Sequence, residues 1–259
     1  GWSKDPFGGE IENGKMYGRG TNDDKGPAVA ALYAMKALKE SGVSLKKRVR
    51  LIYGLDEEVG EWEGIVKYLE EAGKPDFGFT PDADFPLVHA EMGIMVFDLV
   101  KKLKKPGTEG TVLKSIQGGT AYNMVPNRCS AVIVAKDYDK IKKKVDAFKE
   151  RTGYEVRYRG KGKSLEIIAE GLSAHGAMPW KGVNAISILF YLLSEISFNE
   201  EDVNDFIRFY NEKIGFNLHG KNIGCGFEDE ISGELVWNTG IIQMDQEVGR
   251  ITINVRYPV

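Results

Sequence analysis

The first part of the chain alternates apolar and polar runs in a way that predicts strands and helices in turn. Val29, Leu32, Met35 and Leu38 recur at helical spacing, with Pro27 near the start of that helix. The predicted elements are a strand at 15–18, a helix at 25–39, a strand at 48–55, a helix at 61–72 and a strand at 76–79. Strands and helices that alternate at this spacing are typical of an α/β layer with parallel strands.

From Gly93 onward the strand-like segments follow one another with connections typical of antiparallel pairing. The predicted strands are 94–100, 112–116, 129–134, 154–158 and 165–169, the helices are 138–151, 182–196 and 201–214, and a final hairpin joins 236–244 to 249–257. We therefore predict two domains. Residues 1–92 belong to an α/β domain and residues 93–259 form an α+β domain.

The composition is that of a globular protein and excludes several classes. The chain has 259 residues, of which 42% are hydrophobic and 28% charged. A net charge of −3 gives no indication of nucleic-acid binding, and no apolar run reaches the roughly 18 residues of a membrane span. The two cysteines, Cys129 and Cys225, form no CxxC motif. Neither a disulfide scaffold nor a thiolate zinc site is expected, and a reducing cytoplasm is the expected location.

Acidic residues gather where the predicted strands of the first domain end. The clusters are Asp23-Asp24 after a Gly-rich turn, Glu57-Glu58 after the strand at 48–55, and Asp82 with Asp84 after the strand at 76–79. Sites in open α/β sheets lie outside the carboxyl ends of the strands. Carboxylates that converge there repel one another unless a cation lies between them, and divalent metals accept such oxygen ligands.

Two adjacent carboxylates can divide the work of a hydrolytic metal site. Two metal ions about 3.5–4 Å apart need at least one bridging carboxylate. A neighbouring Glu that stays off the metals can then take the proton of the attacking water. Glu57 and Glu58 fit this division, because consecutive side chains near a strand end point in different directions.

Each cluster also has a simpler interpretation. Asn22 or Asp23 could cap the following helix, the Glu pair could lie on a solvated surface, and Asp82 could be a turn residue. Two other motifs are excluded, since the Gly18 segment lacks the third glycine of a dinucleotide fingerprint and the alternating acids of an EF-hand loop.

Taken in order, the segments resemble the M20 family of metallopeptidases, and within it the bacterial dipeptidases of the PepV type. The similarity rests on six motifs that span nearly the whole chain: GWSKDPFGGEIENGKMYGRGTNDDKGP, GLDEEVG, TPDADFP, NMVP at 123–126, SAHGAMP at 173–179 and RYP at 256–258. The resemblance implies a zinc-exopeptidase-like catalytic domain with an inserted α+β lid domain.

The resemblance implies a role for four carboxylates of the first domain. Asp23 matches the residue that bridges two zinc ions, for which Mn²⁺ or Co²⁺ are alternatives. Glu58 matches a ligand of one metal and Asp82 a ligand of the other. Glu57 matches the general base. Asp56 has no assigned role.

The resemblance also implies a role for three residues of the lid. His175 matches a residue that stabilises the oxyanion of the tetrahedral intermediate, which is ordinary electrostatic catalysis. Asn123 and Arg256 match residues that contact the substrate. Arg256 would hold the terminal carboxylate, to which a guanidinium can donate two parallel hydrogen bonds. His89 and His219 match no functional position and are expected to be structural or surface residues.

The chain departs from the family pattern in two places. A His-x-Asp motif is expected shortly before the segment that begins at Gly1, and a metal-binding His near the C-terminus; this chain contains neither. We therefore expect a fragment of a longer protein in which each metal lacks a histidine ligand. The metals are expected to be weakly held or absent and the fragment itself inactive, so the predicted activity is that of the parent protein.

The sequence as a whole predicts a cytoplasmic dinuclear zinc dipeptidase that acts on a small peptide. The alternatives within the family are N-acyl amino acids or succinyl-diaminopimelate as substrates. An alternative of another class is a non-catalytic protein whose incomplete site binds a ligand or another subunit. No nucleic-acid or membrane partner is expected, and a monomer is favoured over a homodimer formed through the lid.

Overall fold

The structure is a computed structural model that describes residues 2–55, 57, 62–83, 87–104 and 109–259. The chain folds as two compact units, residues 1–89 and 90–259. It is a mixed α/β protein with five α-helices among the described residues, in agreement with the predicted class.

The helices lie where the apolar spacing predicts them, with small shifts at their ends. They are α1 (Lys25–Glu40), α2 (Glu63–Ala72), α3 (Tyr138–Thr152), α4 (Ala185–Leu193) and α5 (Glu201–Lys213). Local chemistry sets the bounds of α3: the Asp137 side chain accepts a hydrogen bond from the Lys140 N–H (3.0 Å), and Gly153 ends the helix with φ of 73°. In the part of the chain that the structure describes, no helix is long and apolar enough to cross a bilayer.

Most strands of the second unit also agree with the sequence pattern. The first unit contains β1 (Glu10–Glu12) and β2 (Lys15–Tyr17). The strands of the second unit are β3 (Gly93–Lys102), β4 (Val112–Gly118), β5 (Arg128–Val134), β6 (Val156–Lys161), β7 (Ser164–Glu170), β8 (Glu228–Asp229), β9 (Gly233–Glu234), β10 (Val236–Met244) and β11 (Val248–Tyr257). The strand predicted at 154–158 corresponds to β6, which begins and ends later in the chain. β1 with β2 and β8 with β9 form two separate two-stranded sheets.

Two strands predicted for the first unit are not formed. Residues 48–55 and 76–79 have no strand pairing. The first of these segments instead contacts both helices: Arg50 Nη1 donates to the Tyr68 hydroxyl (3.0 Å), and the Tyr53 hydroxyl donates to the Ala28 carbonyl oxygen (3.3 Å). A strand needs a neighbouring strand for its backbone hydrogen bonds. Within the described part of the first unit the one strand pair is β1 with β2, so the expected parallel layer is absent there.

The second unit is built on a seven-stranded antiparallel sheet in the order β3-β11-β10-β4-β5-β7-β6. Side chains of α3, α4 and α5 form one hydrophobic core with this sheet. Phe148, Phe190, Tyr210, Ile167 and Ile253 are all fully buried in that core. Burying a large apolar side chain contributes about 1.5–3 kcal/mol, so this unit contains the main stabilising core of the described chain.

The register of β10 and β11 determines which side chains share a face of the sheet. Ile253 and Val255 of β11 belong to the helix-covered core, so the alternate residues Asn254 and Arg256 face the other way. Asn238 of β10 lies directly opposite Asn254. A bulge at Gly240 interrupts the β10–β11 ladder two residues later. These positions bear directly on the candidate site.

Candidate functional site

Asp23 lies in the turn that leads into α1. The Thr21 N–H and hydroxyl both donate to the Gly18 carbonyl oxygen (3.3 and 3.0 Å), and the Lys25 N–H donates to the Gly20 carbonyl oxygen (2.9 Å). Gly20 has φ of 78°, a left-handed conformation that glycine adopts without strain. The segment therefore forms a hydrogen-bonded turn that presents the exposed Asp23 side chain.

The next residue, Asp24, occupies the N-cap position of α1. Among the residues described, its side chain makes no capping hydrogen bond, and its buried Oδ1 has no hydrogen-bond partner. The peptide bond between Asp23 and Asp24 is cis. The structure gives no support to the simpler interpretation in which Asn22 or Asp23 serves only to cap this helix.

The remaining predicted residues of the first unit lie in two other loops. Glu57 and Asp82 are both exposed, and Glu58 lies outside the described residues. Among the residues that the structure does describe, no three His, Cys, Asp or Glu side chains form a group that could hold a metal ion. The ligand set of Asp23, Glu58 and Asp82 therefore stays a prediction. Its chemistry, three carboxylates, suits a hard or borderline divalent cation.

In the second unit, Asn123 and His175 lie on two segments that pair with each other. The residue after Asn123 forms an antiparallel bridge with His175. On either side of the bridge, the Gly176 N–H donates to the Asn123 carbonyl oxygen (2.6 Å) and the Val125 N–H donates to the Ala174 carbonyl oxygen (2.8 Å). A Cβ at position 176 would lie 2.8 Å from the Asn123 oxygen, so this close approach requires glycine. Two predicted lid residues far apart in sequence are thus held side by side.

The orientation of the His175 ring follows from a local hydrogen bond. The Ala177 N–H donates to His175 Nδ1 across 3.1 Å, and the ring is exposed. Because Nδ1 accepts, the hydrogen of the neutral imidazole resides on Nε2. His175 therefore presents an N–H donor, as required of a group that stabilises a developing oxyanion.

Arg256 lies near the end of β11, between Ile94 of β3 and Val236 of β10. The residue is half-buried, and its buried Nε has no hydrogen-bond partner in the described part of the chain. A guanidinium whose buried N–H has no partner can bind an anionic group strongly, since hydrogen bonds to charged groups are the stronger class.

Sequence reasoning missed two residues next to these, Asn238 and Asn254. Each is 1% exposed, and they lie opposite each other on β10 and β11. The Asn238 Oδ1 and both polar atoms of the Asn254 carboxamide have no hydrogen-bond partner among the described residues. The signal in the sequence was an Asn within each of two strongly apolar strands, where a buried polar side chain requires a specific reason.

Comparison with known proteins assigns both parts of the chain. The family model described as Peptidase family M20/M25/M40 matches residues 1–177, and the model described as Peptidase dimerisation domain matches residues 159–256. The two matches together extend over nearly the whole chain.

The similar curated proteins are named as dipeptidases. The "Putative dipeptidase YtjP" of Bacillus subtilis is 37% identical over 261 residues, covering 100% of this chain and 56% of that protein. The "Putative dipeptidase" of Staphylococcus epidermidis is 36% identical over 263 residues, covering 100% of this chain and 55% of that protein. The chain thus spans about half the length of the curated relatives it matches. On the match over residues 1–177, the chain belongs to peptidase family M20/M25/M40.

Proposed function

We propose that the protein hydrolyses the amide bond of dipeptides with the help of two zinc ions, for which Mn²⁺ or Co²⁺ are alternatives. Members of the M20 family are generally metal-dependent, and the relatives that match the whole chain are named as dipeptidases. In this proposal residues 1–92 are part of the catalytic domain and residues 93–259 form the substrate-binding lid.

The single observation that carries the proposal is the paired arrangement of Asn123 and His175. A hydrolase that forms a tetrahedral intermediate needs a donor fixed toward the oxygen that becomes negative. The Ala177 N–H donates to His175 Nδ1, so Nε2 is the donor of the neutral ring. The hydrogen bond from the Gly176 N–H to the Asn123 carbonyl oxygen holds the backbones of the two segments together. This arrangement suits a donor for the oxyanion on a segment paired with one whose Asn123 is proposed to contact the substrate.

The metal ions would be held by Asp23, Glu58 and Asp82, with Asp23 shared between them. When bound, such ions polarise the scissile carbonyl and make water acidic enough to be deprotonated near pH 7. Glu57 would take the proton of the attacking water and deliver it to the leaving amine. These assignments rest on the match of each residue to the family motif.

Arg256 would bind the terminal carboxylate of the dipeptide. Its Nε has no hydrogen-bond partner among the residues that the structure describes, and a carboxylate can accept two parallel hydrogen bonds from one guanidinium. This preference for a free carboxylate close to the scissile bond is typical of an enzyme for very short peptides, because the charge fixes one end of the substrate.

We further propose that the protein is a cytoplasmic monomer. Both cysteines are free thiols, which favours a reducing compartment. The long second unit inserts α4 and α5 before its last hairpin, which favours a lid that needs no second copy. Sedimentation equilibrium tests the monomer, since a mass twice that of one chain contradicts it.

The proposed substrate class is tested by comparing rates for dipeptides, N-acyl amino acids and succinyl-diaminopimelate with the zinc-loaded full-length protein. We expect kcat/KM for dipeptides to exceed that for the other two classes. A higher kcat/KM for N-acyl amino acids or succinyl-diaminopimelate would agree with the proposed hydrolytic mechanism but would contradict the proposal that dipeptides are the substrate. Tight dipeptide binding without turnover would instead favour a non-catalytic binding protein.

A further inference from the structure

We infer that Asn238 is a positioning residue that holds the substrate-contacting side chains of the second unit in one arrangement. The roles of Asn123, His175 and Arg256 in this inference rest on the proposed function. The contacts of Asn238 itself belong to the structure and do not depend on that function.

One side-chain nitrogen of Asn238 fixes the backbone on both sides of Asn123. The Nδ2 group donates to the Tyr122 carbonyl oxygen across 2.9 Å and to the Met124 carbonyl oxygen across 3.0 Å. These residues are more than 110 positions away in the chain, so the two bonds tie a loop to a central strand of the sheet. Because Asn238 holds the carbonyl groups on both sides of Asn123, it restrains the backbone from which the Asn123 side chain projects.

The packing around Asn238 leaves little room for the loop to move. A Cβ added at Gly240 would lie 2.4 Å from the Tyr122 carbonyl oxygen, and a Cβ added at Gly176 would lie 3.0 Å from Asn238 Nδ2. Glycine at both positions therefore lets the Asn123 loop and the His175 segment approach the strand closely. Asn238 contacts the two segments at the point where they meet.

The register of the sheet connects Asn238 to Arg256. Asn254 lies opposite Asn238 and shares its face, and Arg256 follows two residues later on that face, about 7 Å along the strand. Asn238 Oδ1 and both polar atoms of the Asn254 side chain are buried, and none of them has a hydrogen-bond partner within the ranges that the structure describes. The pair of strands β10 and β11 thus contains Asn238, which is hydrogen-bonded to the Asn123 loop, and Arg256, whose guanidinium is proposed to bind the substrate carboxylate.

Removal of the Asn238 carboxamide would release this arrangement without removing any group that touches the substrate. A displacement of about 1 Å in a reacting geometry can lower the rate by about 100-fold. We therefore expect Asn238→Ala to lower kcat for dipeptides by about 10- to 100-fold, with a smaller change in KM. Asn238→Asp keeps the shape but replaces the N–H donor with an oxygen, so we expect the same loss; it also serves where the alanine variant fails to fold.

The matched control is Asn204→Ala. Asn204 also bonds to two backbone groups, accepting from the Phe198 N–H (3.0 Å) and donating to the Phe198 carbonyl oxygen (2.8 Å), but it lies at the start of α5. If Asn238 were merely structural, the two alanine variants would lose stability together and keep similar kcat values.

An activity-independent measurement completes the test. Amide hydrogen exchange of Gly176 and Val125 reports the bonds that join the His175 and Asn123 segments. We expect both amides to exchange at least about 10-fold faster in Asn238→Ala and to be unchanged in Asn204→Ala, while strand amides such as Ile133 stay protected.

The outcomes separate this inference from the proposed function. Unchanged exchange at Gly176 and Val125 would overturn the inference, as would faster exchange with a kcat equal to that of the Asn204 control. If the zinc-loaded wild-type protein hydrolyses no dipeptide, the proposed function fails. The exchange measurement then decides by itself whether Asn238 fixes the Asn123 segment.

Discussion

The backbone N–H of Ala177 donates a hydrogen bond to Nδ1 of His175 across 3.1 Å. This bond links two neighbours in the SAHGAMP segment and determines which ring nitrogen carries the hydrogen. Nε2 becomes the donor that the exposed ring offers to a ligand. The donor proposed for His175 therefore follows from a local backbone contact.

We expect His175→Ala to lower kcat by about 100- to 1,000-fold, the usual effect of removing one donor to an oxyanion. KM should change less, because the contact strengthens in the transition state. Steady-state kinetics on a dipeptide measure both values. His219→Ala is the control, since His219 Nδ1 lies 3.0 Å from the Leu235 carbonyl oxygen and belongs to another part of the unit. Equal losses in the two variants would contradict the assigned role.

Glu57→Ala should abolish hydrolysis in the full-length protein while the metal content persists. The variant removes the group proposed to move the proton and keeps the carboxylates proposed as ligands. Elemental analysis gives the metal content and a dipeptide assay gives the activity. Glu63→Ala, an exposed Glu in the first turn of α2, should change neither. Retained activity in the Glu57 variant would reject this residue as the base.

Arg256→Met should raise KM for dipeptides that carry a free terminal carboxylate. A hydrogen bond to a charged group contributes about 1.5–3 kcal/mol, which corresponds to a change of about 10- to 150-fold. Dipeptide amides, which lack that charge, should be hydrolysed by variant and wild type with similar kcat/KM. Equal losses on both substrates would show that Arg256 acts on something other than the carboxylate.

The two cysteines should differ in reactivity. Burial raises the pKa of the Cys129 thiol far above its usual value, so the reactive thiolate is scarce. Cys225 is only partly buried. A thiol reagent such as dithionitrobenzoate should label one cysteine per native chain and two after denaturation, with Cys225→Ser removing the native signal. Rapid native labelling of Cys129 would contradict the burial of this strand.

Glu166 should contribute to stability in a pH-dependent manner. The hydrogen bond from Arg159 holds the pKa of the Glu166 carboxyl below its usual range, and the side chain is 7% exposed. Since the pKa is lower in the folded state, the contribution is present above the unfolded value of about 4.3 and is lost as the pH falls through the folded value.

We therefore expect the unfolding free energy of the wild type to fall more steeply below about pH 5 than that of Glu166→Gln. Denaturant titrations at several pH values measure this difference. Glu170→Gln is the control, because the Arg157–Glu170 pair is more exposed and surface ion pairs contribute little. Parallel pH profiles for wild type and Glu166→Gln would contradict the prediction.

The agreement between sequence and structure differs between the two units. In the second unit, helices and strands formed close to where periodicity placed them, because each buries its apolar face in the same core. In the first unit the apolar run at 48–55 predicted a buried strand, yet the segment lies unpaired against α1 and α2. Periodicity records the tendency of a segment to be buried, whereas a strand also requires a partner for its backbone groups.

The sequence by itself determined the family and the residue types available for chemistry, since the ordered motifs and their carboxylates, histidine and arginine are fixed by the chain alone. Only the tertiary structure decided that Asn123 and His175 are neighbours, because the hydrogen bonds between their segments join residues about 50 positions apart. It also singled out Asn238, whose role depends on strand register and on glycines that allow close approach. Local sequence encodes periodicity and side-chain chemistry, but the contacts that position a site are made by parts of the chain that only folding brings together.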